Sequence, residues 1–133
     1  MSTPKVFCVA LALTQLWGCA QSPTFLAKRA MIDETTPVCV GEQGCSAKWR
    51  AARHWVVNDA GLPIRIATDD VIETYNGWPS QDPRLIVRVT KEPLGGGKYK
   101  ILVATSCAYD YGCIPDRWNA ALDFNRTVGA VKP

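Results

Sequence analysis

Four cysteines constrain this chain more than any other feature, because they fall into two copies of one pattern. Cys39-Val-Gly-Glu-Gln-Gly-Cys45 and Cys107-Ala-Tyr-Asp-Tyr-Gly-Cys113 share the spacing Cys-x5-Cys, and each has Gly immediately before its second cysteine. Each also lies just ahead of a segment that reads as a helix. An even number of cysteines in a short chain points to a disulfide framework. Two local bridges, Cys39–Cys45 and Cys107–Cys113, are expected, each worth roughly 2.4 kcal/mol by loop-closure entropy. Cross-bridges such as Cys39–Cys107 would close about 70 residues for roughly 4.4 kcal/mol, so locality alone favours the short pairing. Zinc sites use closer Cys-x2–4-Cys spacing with added histidines. Here the spacing is longer and His54 is the single histidine, so no metal is expected. No Cys-x-x-Cys redox motif occurs, and nothing calls for a cofactor.

The N-terminus explains why the other two cysteines stand apart. Lys5 supplies a positive charge, and Val6 to Leu16 is an apolar run of 11 residues. That run is too short to span a bilayer and suits the apolar region of an export signal. It ends in Leu16-Trp17-Gly18-Cys19. The segment resembles the lipobox of bacterial lipoproteins, in which an aliphatic residue and a small residue flank one position just before an invariant cysteine. The resemblance implies that residues 1–18 are removed and that Cys19 becomes an acylated N-terminus. Ala20 and Gln21 follow in place of Asp, which in such lipoproteins implies sorting to the outer membrane, facing the periplasm. Cleavage after Ala20 is the alternative and would give a soluble periplasmic protein. Under either, Cys8 leaves with the signal, and Cys39, Cys45, Cys107 and Cys113 meet an oxidising compartment.

The 133 residues allow one domain. A charged fraction of 20% against 47% hydrophobic residues describes a folded chain rather than a disordered one. The net charge of +3 is spread without a basic run longer than Lys28-Arg29, which argues against a nucleic-acid partner.

Residues 19–44 read as a lipidated end and an irregular tether, broken by Pro23, Pro37 and Gly41. The globular domain is expected over 45–133. A first helix is expected from Ala47 to Ala60, with Ser46 as N-cap, Gly61 at the exit, and Trp49, Ala52, Trp55 and Val56 on one side. Lys48, Arg50 and Arg53 take the rest. From Leu62 the period changes to two, giving a strand toward Tyr75 that a bulge or turn at Asp69-Asp70 interrupts. Leu85, Val87 and Val89 alternate through the clearest strand, 84–92. Residues 93–97 make a hairpin loop, and a third strand runs from Tyr99 to Cys107. A second helix starts at Pro115 or Asp116, with Trp118, Ala121, Leu122, Asn125 and Val128 as its stripe. The expected fold is α+β: order α-β-β-β-α, a three-stranded antiparallel sheet with both helices on one face.

A simple meander puts both helix N-termini, both cysteine loops and the 76–83 loop at one end. That end gathers Tyr75, Trp78, Tyr109 and Tyr111, with Asp82, Asp110 and Asp116 between them. Exposed aromatic rings beside fixed backbone donors suit recognition of a carbohydrate, peptide or protein. This is the candidate binding face; the alternative is that its rings are rim packing. A true break at Asp69-Asp70 would add a strand, flip the parity and dissolve the clustering.

No catalytic residue set emerges. His54 stands without a nucleophile at identifiable spacing. Asp69, Asp70 and Glu73 form an acidic cluster that could serve acid–base work or bind a cation, but turn capping by Asp69 or Asp70 is the better reading. Gly95-Gly96-Gly97-Lys98 lacks the phosphate-loop pattern. The leading expectation is a lipid-anchored, non-catalytic envelope module that touches the membrane through its lipid and binds another envelope protein or wall component. A periplasmic inhibitor or immunity protein against a wall hydrolase is the alternative, and would need an acidic patch from Asp82, Asp110 and Asp116. A small hydrolase using His54 and the acidic cluster is the third.

Overall fold

The computed structural model describes residues 20–133. The expected export signal, residues 1–18, and Cys19 lie outside the described residues. In chain order the elements are α1 (Pro23–Thr35), β1 (Val38–Val40), α2 (Gly41–His54) with a one-turn π-helical extension (Trp55–Asp59), β2 (Ile64–Ala67), β3 (Val71–Thr74), β4 (Leu85–Gly95), β5 (Lys98–Cys107) and α3 (Arg117–Gly129). The α+β class stands, but the sheet is five-stranded rather than three-stranded. All its pairs are antiparallel, in the order β1-β5-β4-β3-β2.

The two extra strands have separate causes. Asp69-Asp70 is a real turn, so the expected single strand from Leu62 to Tyr75 becomes a hairpin. Thr68 Oγ1 accepts the Asp70 and Val71 amides at 3.2 and 3.0 Å, and the Thr68 amide donates to the Val71 carbonyl at 2.8 Å. A hydroxyl thus closes the turn that two adjacent carboxylates leave soluble. The other strand, β1, lies inside the segment expected to be an irregular tether. Val38-Cys39-Val40 pairs with Lys98, Tyr99 and Lys100 at the sheet edge.

The same segment also holds α1, so residues 20–44 are largely regular. Ser22 Oγ accepts the Phe25 amide at 3.2 Å and Pro23 occupies the first turn, two standard start signals. No residue of α1 is buried. It lies on α3, with Phe25 packed edge-to-face on Trp118 at 5.3 Å and the Ile32 carbonyl accepting from Asn125 Nδ2 at 2.9 Å.

Helix α2 begins at Gly41, six positions before the expected Ala47, because the Cys39–Cys45 bridge folds β1 directly into its first turns. Ser46 is therefore inside the helix and not its cap. Ala52, Trp55 and Val56 bury the expected stripe. Lys48, expected on the solvent side, instead donates to the Val128, Gly129 and Val131 carbonyls at 2.8–3.3 Å and caps the end of α3.

Helices α2 and α3 cover one face of the sheet. Leu85, Val87, Val89, Ile72 and Ile101 meet Trp55, Val56, Phe124 and Val128 there, with Trp55 and Phe124 edge-to-face at 5.2 Å. Full burial of each such side chain is worth about 1.5–3 kcal/mol. The α3 stripe is rotated from the expected one. Phe124 and Ala120 point to the core, while Trp118 turns toward α1, a helix absent from the expected fold. No helix of the described residues is long and apolar enough to cross a membrane.

Candidate functional site

The added strand reverses the first helix, so the two helix N-termini and the two cysteine loops do not share an end as expected. Val40 pairs with Lys98, which puts the Cys39–Cys45 loop beside the 95–97 hairpin turn. Cys107 pairs with Leu85, at the far end of the same strands. Both bridges are local, with Cα–Cα distances of 4.8 and 5.8 Å. The cross-bridges are excluded by this separation. Two disulfides in a small chain are a mark of extracytoplasmic, oxidising compartments.

The aromatic and acidic residues nevertheless stay together. They belong to the two loops that flank β4 and β5 at the Leu85 and Cys107 ends, and the parity of the first helix does not affect these. Thr74 sets the first loop going: its buried hydroxyl accepts the Val87 amide at 2.9 Å and ends the β3–β4 ladder. Tyr75 then leaves the sheet and packs edge-to-face on Trp78 at 4.7 Å. Gly77 makes room for this, since a Cβ there would strike the Tyr75 phenol. Trp78 donates its indole N–H to the Leu85 carbonyl at 3.3 Å and carries the Arg84 guanidinium 3.5 Å over its ring. Arg84 grips Asp82 through both carboxylate oxygens, at 2.6–3.1 Å, and these hydrogen bonds hold the Asp82 carboxyl below its ordinary range.

The second loop is joined to the first by the Ile114 amide, which donates to the Pro83 carbonyl at 3.0 Å. Tyr109 and Tyr111 stack edge-to-face at 5.5 Å, and the Gly112 amide closes the turn on the Tyr109 carbonyl at 3.0 Å. Asp116 is the α3 N-cap, accepting the Trp118 and Asn119 amides at 3.0 and 3.2 Å. Two of the three expected acids are thus occupied internally. Among the described residues only Asp110 of the three has no such partner, so an acidic steering patch is largely spent. Two residues of the site carry no signal in the sequence that marks them. Arg84 reads as the start of a strand, and Ile114 is a lone apolar residue between Cys113 and Pro115. Ile114 is 82% exposed and Tyr111 89% exposed.

Comparison with protein-family models, with curated proteins and with solved structures finds no match for the chain. The functional reading therefore rests on these side chains.

The residues weighed for catalysis are not brought together. His54 is exposed at the end of α2 and lines none of four surface cavities of the described residues. Glu73 lies on the sheet face away from the helices, in an ion-paired triad with Arg65 and Arg88. Asp70 pairs with Lys91 at 3.6 Å. Among the described residues no group of three His, Cys, Asp or Glu side chains is placed to hold a metal ion.

Proposed function

We propose that the protein is a non-catalytic binding module of the bacterial envelope. It is anchored in the outer membrane through acylated Cys19 and docks a partner protein on the end formed by Tyr75, Trp78, Arg84, Tyr109, Asp110, Tyr111 and Ile114. One observation carries the reading: among the described residues the two most exposed large apolar side chains, Tyr111 and Ile114, sit on and beside a covalently closed loop. Exposed aromatic and aliphatic side chains are what an interface core uses, and a disulfide-closed loop restrains the backbone that carries them, which lowers the entropy lost on binding. The surrounding Tyr75–Trp78–Arg84 stack adds the residue types that dominate interface energetics. The two bridges support an exported location, and the chain's resemblance to lipoproteins at Leu16 to Cys19 supports the anchor.

The test is chemical crosslinking in intact envelopes, comparing the native chain with the double substitution Tyr111→Ser, Ile114→Ser. A single stoichiometric adduct that disappears in the variant, with folding unchanged, is the expected result. An adduct equally strong in the variant would reject this face. Acyl labelling that is lost on Cys19→Ser, with release from the membrane fraction, tests the anchor separately.

A further inference from the structure

The end of the molecule opposite the aromatic loops holds a cavity of about 470 Å³, lined among others by Glu42, Ser46, Trp49, Asp69, Lys91 and Tyr99. This is within the size range of small-ligand sites. Its walls come from three separate stretches of chain: the first turns of α2, the β2–β3 turn, and the facing strands β4 and β5. Each wall is fastened to another. The Gly41 amide donates to the Gly97 carbonyl at 2.9 Å, and the Lys91 amide donates to the Asp70 carbonyl at 2.9 Å. The Trp49 indole N–H donates to the Thr68 carbonyl at 3.1 Å, and the Cys39–Cys45 bridge locks the start of α2. The cavity is preformed, so a ligand need not order it.

Lys91 is out of place by pattern. It continues the inward register of Leu85, Val87 and Val89, which is otherwise apolar along β4. Its side chain is 17% exposed, and its ammonium lies between the rings of Trp49 and Tyr99, 5.5 and 5.4 Å from their centres. Among the described residues its ion-pair partner is the exposed Asp70, at 3.6 Å. The cavity therefore combines ammonium and hydroxyl donors from Lys91 and Ser46, carboxylate acceptors from Glu42 and Asp69, and two aromatic rings.

That combination selects among ligand chemistries. A carboxylate or phosphate would meet the like charges of Glu42 and Asp69, which outnumber the single lysine. A wholly apolar ligand would strip water from Lys91 and Asp69 and return no hydrogen bond. A pyranose ring has apolar C–H faces for the half-buried rings of Trp49 and Tyr99 and a rim of hydroxyls that can donate to Glu42 and Asp69 and accept from Ser46 and Lys91. We infer that this cavity binds a neutral pyranose, as a free sugar or as a unit of a glycan. The cavity is a different site from the proposed protein-docking end, and sugar binding here is independent of that reading.

The experiment is a nitrogen–proton NMR titration of the purified full chain, read at the Trp49 indole and at the Lys91 and Tyr99 amides. The probes are cellotriose, chitotriose, glucose, N-acetylglucosamine and, as an anionic control, glucuronic acid. Saturable shifts at these three residues with the neutral sugars are expected. Affinity should fall about tenfold in Tyr99→Leu and in Lys91→Met, roughly the loss of one stacking or charged hydrogen-bonding contact. Asp69→Asn, on an exposed turn, should weaken binding without unfolding, and guards against a Tyr99 variant that merely misfolds. Trimers binding more tightly than their monomers assigns a glycan chain; equal affinity assigns a free sugar. Absence of shifts with all neutral probes, shifts confined to other residues, or tighter binding of glucuronic acid would each overturn the inference.

Discussion

The Cys39–Cys45 loop bends a three-residue edge strand straight into the first turns of α2, and both residues are nearly dry, at 1% and 5% exposure. The Cys107–Cys113 loop has the same spacing and the same penultimate glycine and also buries Cys113, at 9%, yet it leaves Cys107 half-buried and holds Tyr111 out at 89% exposure. The difference lies in the path of the chain beyond each bridge. After Cys45 the chain is already helical and packs on the sheet; after Cys113 it passes through exposed Ile114 and Pro115 before Asp116 starts α3. The first staple is buried at both cysteines; the second is buried at Cys113 and only partly at Cys107, so it joins the core on one side and braces a surface on the other. Identical cysteine spacing therefore says where a chain is constrained, and the burial of the cysteines themselves tells the two constraints apart.

Substitutions at the two staples put this contrast at risk. Replacing Cys39 and Cys45 together by serine should cost about 3–5 kcal/mol in chemical denaturation, because loop-closure entropy and core packing are lost together. The same change at Cys107 and Cys113 should cost less, about 2–3 kcal/mol, because only Cys113 of that pair is buried. Equal losses would erase the distinction between a core staple and a surface staple. Next in size, the two ends of α3 are secured from opposite ends of the molecule: Lys48→Met and Asp116→Ala should each cost about 1 kcal/mol by removing a cap.

A pH effect belongs to the α2–α3 contact between the two loops. The Trp55 indole N–H, 2.8 Å from Asp123, and then the Arg126 guanidinium hold the Asp123 carboxyl below its ordinary range. A depressed carboxyl pKa adds stability that is fully present above the unfolded value, about 3.9, and is lost as pH falls through the lower folded value. Asp123→Asn should therefore flatten the decline in stability below about pH 4, measured by denaturation midpoints across acid pH. Smallest of all, Tyr111→Ser with Ile114→Ser should change stability by less than about 0.5 kcal/mol, since neither side chain is buried.

The hairpin of β4 and β5 was legible because Leu85, Val87 and Val89 alternate without exception and three glycines mark the turn. The segments around it were harder. Helix α1 buries no residue and has no apolar stripe, so only Ser22-Pro23 announced it, and its packing surface is supplied by α3. Strand β1 is three residues long and pairs about sixty positions away, which no local pattern encodes. The aromatic end was legible because its loops adjoin the readable hairpin. The cavity at the other end was not, since Trp49, Asp69 and Lys91 converge only once Asp69-Asp70 is a full turn. A lysine in the apolar register of β4 was the one signal that marked it.

Whether the surface staple braces a docking face is decided by site-specific photo-crosslinking in whole cells, with a benzophenone side chain placed at position 111 or at the exposed position 50 on α2. One partner-sized adduct from position 111 and none from position 50 is the expected outcome. Adducts of the same size and yield from both positions, or from position 50 alone, would contradict it.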